Sequence, residues 1–362
     1  MTPVEFRRHL HAQPELSFEE RQTARFISEE LTKLGIEHRP IARTGVLARI
    51  EGHGNLRRAV VLRADIDALP IDEQCDVAWR SQHPGVMHAC GHDVHAAVLF
   101  GVLQQLAAAP DFEGTLFGLF QPGEECNPGG ASLVLAENPF EGYDVRAFIG
   151  EHVEARLPVG TLGFRAGKYM AASDELRFTL HGTGGHGAMR QQLKDPVAAV
   201  TRLLALNSEE CVLSIGRVEA DGATNIVPDK VYMEGTLRTF DERERTIIQQ
   251  RLRNIAADID ARHGVSTGVD INRGYPCVVN DEVLTRLAVL AAKPDFRVEM
   301  LPLRTTAEDF GFYCTKYPAI FYRLGVGPDA GRPHTGTFCP DERAIPAGID
   351  FMKRLALQIF EN

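Results

Sequence analysis

Hydrophobic positions follow two rhythms along the chain, and the change between them divides it. Toward the N-terminus, compact apolar runs recur at Val46–Ile50, Ala59–Arg63, Thr115–Phe120 and Ala147–His152, short and rich in β-branched or aromatic residues, which predicts strands. Gly52, His53, Gly54 and Asn55 place a turn between the first two, a strand-turn-strand signal. The apolar stretch from about Val94 to Ala109 is too long for a strand and predicts a helix with Asp93 as its N-cap. Two helices lead into these elements. Thr2-x-x-Glu5 and Ser17-Phe18-Glu19-Glu20 both match the capping box, and the second helix should stop near Gly35. Alternating strands and helices imply a layered α/β domain with a mostly parallel sheet, whose ligand sites lie where strands run out into loops.

From about residue 173 polar residues take every second place. Glu175–Leu180, Val212–Val218 and Val231–Arg238 alternate like half-exposed strands, with helices expected at 195–207 and 241–263. The layered pattern resumes near Asn280, with a helix at 281–292, a strand around Pro318–Leu324 and a closing helix at 344–360. The expected organisation is a larger α/β domain built from 1–172 and 279–362, interrupted by a smaller α+β domain at 173–278.

Length supports the division, since 362 residues exceed what one core usually serves. Composition then removes several function classes. No apolar run approaches bilayer length and the opening residues lack a signal-peptide core, so the expected setting is cytoplasmic with no membrane partner. A net charge of −10 without a basic run argues against nucleic acid as a partner. The 7 cysteines are odd in number and scattered, which disfavours a disulfide framework and makes any special cysteine a ligand or a nucleophile.

Candidate chemistry concentrates at predicted strand and helix ends. Met87-His88-Ala89-Cys90-Gly91-His92-Asp93-Val94-His95 places four potential metal ligands at the mouth of a helix, where the dipole also favours a thiolate. Gln121-Pro122-Gly123-Glu124-Glu125 follows an apolar strand, and its adjacent carboxylates would face opposite ways on extended backbone. His152 ends another such run, Asp65 and Asp67 share one side of an extended segment, and His334 stands in a loop without apolar periodicity. Asp67 suits a role orienting a liganding histidine.

These segments, in this order, resemble the M20 family of metallopeptidases, in particular its aminoacylase-like amidohydrolase branch, which includes hippurate hydrolases, auxin-conjugate hydrolases and N-acetyldiaminopimelate deacetylases. The resemblance runs from His11–Glu20 through Arg63–Pro70, Met87–His95, Gln121–Glu125, Gly182–Ala188, Asn225–Asp229 and Glu308-Asp309-Phe310 to Pro333-His334-Thr335. It implies that Cys90, His92, Glu125, His152 and His334 hold two divalent ions, with zinc or manganese expected and cobalt or nickel compatible. It also implies that Glu124 is the general base, that Asp67 supports it, and that the substrate is an N-acyl amino acid. The inserted domain would bind substrate and form a homodimer, with His186 at the oxyanion and Asn225 and Arg238 at the substrate carboxylate. The chain departs from the family pattern at Gly187-Ala188-Met189-Arg190-Gln191, where relatives usually carry Pro-His after Gly-Ala-x, and in a shorter segment between Asp195 and Val212.

Three other readings compete. A dipeptidase or carboxypeptidase would use the same centre on short peptides. A thiol hydrolase would use Cys90 as nucleophile but leaves Glu125 and His334 idle. A non-catalytic metal-binding module leaves Glu124 and the second domain without a task.

Overall fold

The computed structural model describes residues 1–201, 203 and 211–361. Its strands are β1 (Glu37–Ile41), β2 (Gly45–Glu51), β3 (Arg58–Asp65), β4 (Thr115–Gln121), β5 (Asp144–Glu154), β6 (Thr161–Phe164), β7 (Gly167–Met170), β8 (Ala172–His181), β9 (Gly185–His186), β10 (Cys211–Glu219), β11 (Ile226–Val227), β12 (Lys230–Thr239), β13 (Ser266–Arg273), β14 (Val278–Asn280), β15 (Arg297–Met300) and β16 (Ala319–Gly325). The helices are α1 (Pro3–Ala12), α2 (Arg21–Lys33), α3 (His92–Ala108), α4 (Gly130–Ala136), α5 (Pro196–Val200), α6 (Glu242–His263), α7 (Glu282–Ala292), α8 (Gly311–Cys314) and α9 (Ala344–Glu361). Chain contacts gather into two compact units. One comprises Met1–Tyr169, Val279–Leu303 and Asp309–Asn362, and the other Met170–Val278 with the short return Arg304–Glu308.

The first unit is an eight-stranded sheet in the order β1-β2-β4-β3-β5-β16-β6-β15. Its centre, β4, β3, β5 and β16, is parallel throughout. These strands carry long apolar runs because both faces are covered; every residue of Thr115–Gln121 is buried. The antiparallel members lie outside that centre, where β2 joins β4 and β6 joins β16. The Val46–Ile50 and Ala59–Arg63 runs are strands, but they do not pair with each other, because β4 lies between them. Helix α3 packs on β3 and against α1 and α9. Its fit to the sheet needs Gly118, where a Cβ would stand 2.6 Å from Leu103.

Two cap assignments from local spacing change. Thr2 and Glu5 do form a capping box. Ser17 caps nothing: α2 begins at Arg21 after Glu20, and the Thr23 amide donates to Glu15 Oε2 instead. Asp93 is inside the first turn of α3, whose N-cap is Gly91 with φ 91°. Its Oδ2 accepts from Arg7 Nε at 2.6 Å and from His11 Nδ1 at 2.8 Å, a buried ion pair that ties α1 to the mouth of α3.

The second unit has a four-stranded antiparallel sheet in the order β10-β12-β8-β13, with α6 packed on β13 and β12. Asp241 caps α6 through the amides of Arg243 and Glu244, and Gly264 ends it with φ 66°. Of the helix expected at 195–207, Pro196–Val200 forms on an Asp195 cap. Residues 202 and 204–210, which would complete that helix and run on toward Val212, lie outside the described residues.

Candidate metal centre

The parallel strands deliver the candidate residues to one edge of the first unit's sheet. Parallel register sets Asp65 beside Gln121 and Arg63 beside Gly150, so the segments carrying Asp67, Glu124-Glu125 and His152 emerge at the same level. An antiparallel bridge between Leu69 and Met87 brings the Cys90-Gly91-His92 corner to that edge. The loop before α9 closes the ring, held by the His334 amide donating to Ala89 O at 2.8 Å.

Ligand-type atoms of Cys90, His92 and His152 come within 4.8 Å of one another, as do those of Cys90, Glu125 and His334, and those of His92, Glu124 and Glu125. Cys90 is common to the first two groups. Cys90 Sγ stands 3.3 Å from His152 Nε2, and His334 Nε2 stands 3.3 Å from Glu125 Oε1.

Hydrogen bonds behind the ring aim two of the imidazoles. His92 Nδ1 donates to Asp67, at 2.9 Å to its carbonyl and 3.1 Å to Oδ1, which leaves Nε2 with its lone pair turned into the cluster. His152 Nδ1 donates to Val153 O at 2.7 Å with the same result. His92 Nε2 and Glu125 Oε1 are buried 3.8 Å apart and have no hydrogen-bond partner among the described residues. Two ligand-type atoms set side by side in a buried place without a hydrogen bond fit a cation between them. Charge agrees with geometry. Cys90 and then Glu125 push His334 up to about 10, and for His92, burial opposes protonation but Asp65 and Cys90 outweigh it, so the cluster draws positive charge from whatever can carry it.

His95, three residues from His92 on the same helix, does something else. Its Nε2 accepts from the Val153 amide at 2.9 Å, so the proton is on Nδ1, 2.5 Å from Asp65 Oδ1. Both nitrogens are committed, and His95 acts as a strut between α3 and β5. Burial, then Glu125, raises the Cys90 thiol, the opposite of what an activated nucleophile needs.

Glu151 is buried beside His152 but faces the other side of the sheet, where Tyr322 Oη donates to Oε2 at 3.0 Å and Oε1 has no partner. Burial pushes its carboxyl up to about 8 from the ordinary 4.5. The folded chain therefore keeps a proton that the unfolded chain releases, and the contribution to stability is full below about 4.5, shrinks as pH rises and is lost above about 8. Glu151→Gln keeps the Tyr322 bond without the ionisation. It is expected to melt near the wild type at pH 5 and several degrees above it at pH 9; an equal difference at both pH values refutes this assignment.

Comparison with known proteins identifies the family. Residues 61–358 match the model of peptidase family M20/M25/M40. The chain belongs to this family. Among its M20 relatives is an N-acetyl-L-cysteine deacetylase of Bacillus subtilis, 36% identical over 99% of this chain and 88% of the relative. An N-acetyldiaminopimelate deacetylase of Exiguobacterium sibiricum is 34% identical over 96% of this chain and 97% of its own. A crystal structure described as a dinuclear metal-binding peptidase from the M20 family, also from Bacillus subtilis, superposes with a TM-score of 0.88 at 34% identity, over 99% of this chain and 98% of that one.

The substrate-side candidates all lie in the second unit. His186 is exposed on β9, which pairs with β11 so that His186 faces Ile226, and the Gly187 amide donates to Asn225 O at 2.8 Å; His186 and Asn225 are thus neighbours. Both lie toward the end of β12 where Lys230 pairs with His181, whereas Arg238 is near the other end, opposite Ser173. Arg238 lies eight steps along the strand from Lys230, about 26 Å at about 3.3 Å per residue. Arg190 sits on an exposed 3-10 turn at Gly187–Gln192. Among the described residues, no helix is long and apolar enough to cross a membrane.

Proposed function

We propose that this chain is a metal-dependent amidohydrolase that splits N-acyl amino acids into an acyl acid and a free amino acid. What carries the reading is the pair of ligand groups sharing Cys90, with the Glu124 carboxylate gathered against His92 and Glu125. Cys90, His92, Glu125, His152 and His334 would hold two divalent ions, and their mix of thiolate, imidazole and carboxylate suits zinc or manganese and accommodates cobalt or nickel. Bound there, such ions supply Lewis acidity toward a carbonyl and lower the pKa of water. Glu124, nearly buried, takes the proton of the attacking water and hands it to the departing amine nitrogen. Asp67 fixes the His92 tautomer through both its carbonyl and its carboxylate.

The deacetylase relatives support an acylated amino acid as substrate. We assign catalysis to the metal-ligand unit, spanning 1–172 and 279–362, and substrate binding to the inserted one at 173–278. There His186 would meet the oxyanion, and Asn225 and Arg238 the substrate carboxylate. The strand length between Arg238 and the His186–Asn225 pair exceeds a small N-acyl amino acid, which favours their contribution from two copies of a homodimer formed through the inserted unit.

The test is hydrolysis by metal-stripped protein before and after zinc or manganese is returned. The panel contains N-acetyl and N-benzoyl amino acids, N-acetylcysteine, N-acetyldiaminopimelate and a few dipeptides. Metal-restored release of free amino acid from the acylated substrates, at least 100-fold over the stripped protein, is the expected result. Release from the dipeptides alone would replace the deacetylase reading with a dipeptidase one, and two bound ions without turnover would leave a binding module.

A further inference from the structure

The segment Ser17–Glu20 has the spacing of a helix cap but does not serve as one, and its side chains go elsewhere. Ser17 Oγ donates to Asp67 Oδ2 at 2.7 Å, and the same oxygen accepts the Glu125 amide at 2.9 Å. Glu20 is buried; its Oε1 accepts the Gly123 amide at 2.8 Å and its Oε2 accepts from Thr44 Oγ1 at 2.5 Å. The two backbone amides that flank Glu124 are therefore each held by a buried carboxylate. The segment that supplies these contacts is anchored along Asp67, because the Ala68 amide donates to Glu15 O at 2.8 Å and Leu16 bridges Ala68.

The turn itself depends on outside support. Gly123 has φ +60°, and a Cβ there would lie 2.4 Å from the Phe18 ring, so Phe18 closes over the turn with only hydrogen in between. Phe18 is in turn at φ 63°, a conformation unfavourable for an aromatic residue. Such backbone persists only where neighbours impose it, and the neighbours here are Ser17 and Glu20 on either side of Phe18.

We propose that Ser17 and Glu20 are positioning residues for Glu124: by fixing the Gly123 and Glu125 amides, they hold the base carboxylate at the angle proton transfer requires. Neither residue belongs to the groups of ligand-type atoms around Cys90 and Glu124. Their effect is on the rate of the chemical step, since binding groups lie elsewhere and a displaced base loses transition-state contact without losing substrate. The inference rests on the hydrolase reading above for its kinetic consequence and on geometry alone for its structural one.

The experiment compares wild type, S17A, E20Q and E20A as full-length, metal-loaded protein. It measures amide hydrogen exchange through 121–126, metal per chain, and kcat and KM on an N-acetyl amino acid. E20A is expected to speed exchange at Gly123 at least 10-fold and lower kcat at least 10-fold, with KM within threefold and two ions retained. S17A is expected to speed exchange at Glu125 and leave Gly123 protected, while E20Q, which keeps an acceptor for Gly123, retains at least a third of wild-type kcat. Unchanged exchange at both amides, or a kcat within twofold of wild type in S17A and E20A, overturns the proposal. If E20A fails to fold, the S17A and E20Q outcomes decide it. A wild type inactive on every acylated amino acid sinks the hydrolase reading instead, and exchange then decides the clamp by itself.

Discussion

Replacing Glu124 by glutamine lowers kcat on an N-acetyl amino acid by about 10³-fold, in the middle of the range for removal of a general acid–base, and leaves two ions per chain in place. The expectation follows from the division of labour in the turn. Glu125 has the oxygen that stands 3.3 Å from His334 Nε2 and 3.8 Å from His92 Nε2, which is why the ligand role is proposed for it and not for Glu124. Glu124 is gathered in the same cluster without belonging to the two groups that share Cys90. Glutamine has the shape of glutamate but cannot accept and return a proton. Metal analysis and steady-state rates on one preparation check it, and a variant that kept a tenth of the wild-type turnover would falsify the assignment.

The second large effect belongs to Cys90. Because its sulfur is common to the group with His92 and His152 and the group with Glu125 and His334, Cys90→Ala removes a donor from both at once. Of these two groups, loss of any one histidine touches only one. Cys90→Ala is therefore expected to hold less than one ion per chain after dialysis and to lose at least about 100-fold in turnover, the upper end of what even a supporting partner of a metal ligand costs. His334→Ala, on an exposed loop, should keep more metal than Cys90→Ala. If Cys90→Ala binds two ions as tightly as the wild type, the sulfur is not a shared donor.

Local pattern revealed those regions of the fold in which local forces decide. The run Thr115–Gln121 is apolar because both faces of a central parallel strand are covered, and α6 is framed by Asp241 and Gly264 at its two ends. Elements on the margin gave weaker signals. Strand β1 carries Glu37, His38, Arg39 and Pro40 and is mostly exposed, and β15 is half covered at best, so neither shows the apolar spacing of a strand. Where a polar side chain serves a distant partner, spacing misleads: Ser17 matches a cap by sequence, yet its hydroxyl is taken by Asp67, fifty residues on. Asp93 is taken from the helix end by Arg7 and His11 in the same way.

The site was legible to a similar degree. The residues that the family resemblance joins, Cys90, His92, Glu125, His152 and His334, are gathered by the parallel strand ends and the corner before α3. What local spacing alone could not separate was His92 from His95, two histidines on one helix face three residues apart. Their difference is one backbone amide: Val153 N donates to His95 Nε2, and among the described residues nothing donates to His92 Nε2. Such a contact comes from the register of β5 against α3 and leaves no trace in composition.

The wedging of β4 between β2 and β3 also bears on how the chain is made. None of the neighbouring pairs in the centre of this sheet is a hairpin; β4 must travel back to insert between strands made before it, and β16, at Ala319–Gly325, must arrive to cover the edge of β5 at Asp144–Glu154. A ribosome will have released the whole of β5, and more than a hundred further residues including the second unit, before that edge has a partner. Pairings of such long range form slowly and leave an apolar strand open in the meantime. Nascent chains stopped short of Ala319 should thus be the forms of this protein that chaperones hold and that aggregate when chaperones are scarce.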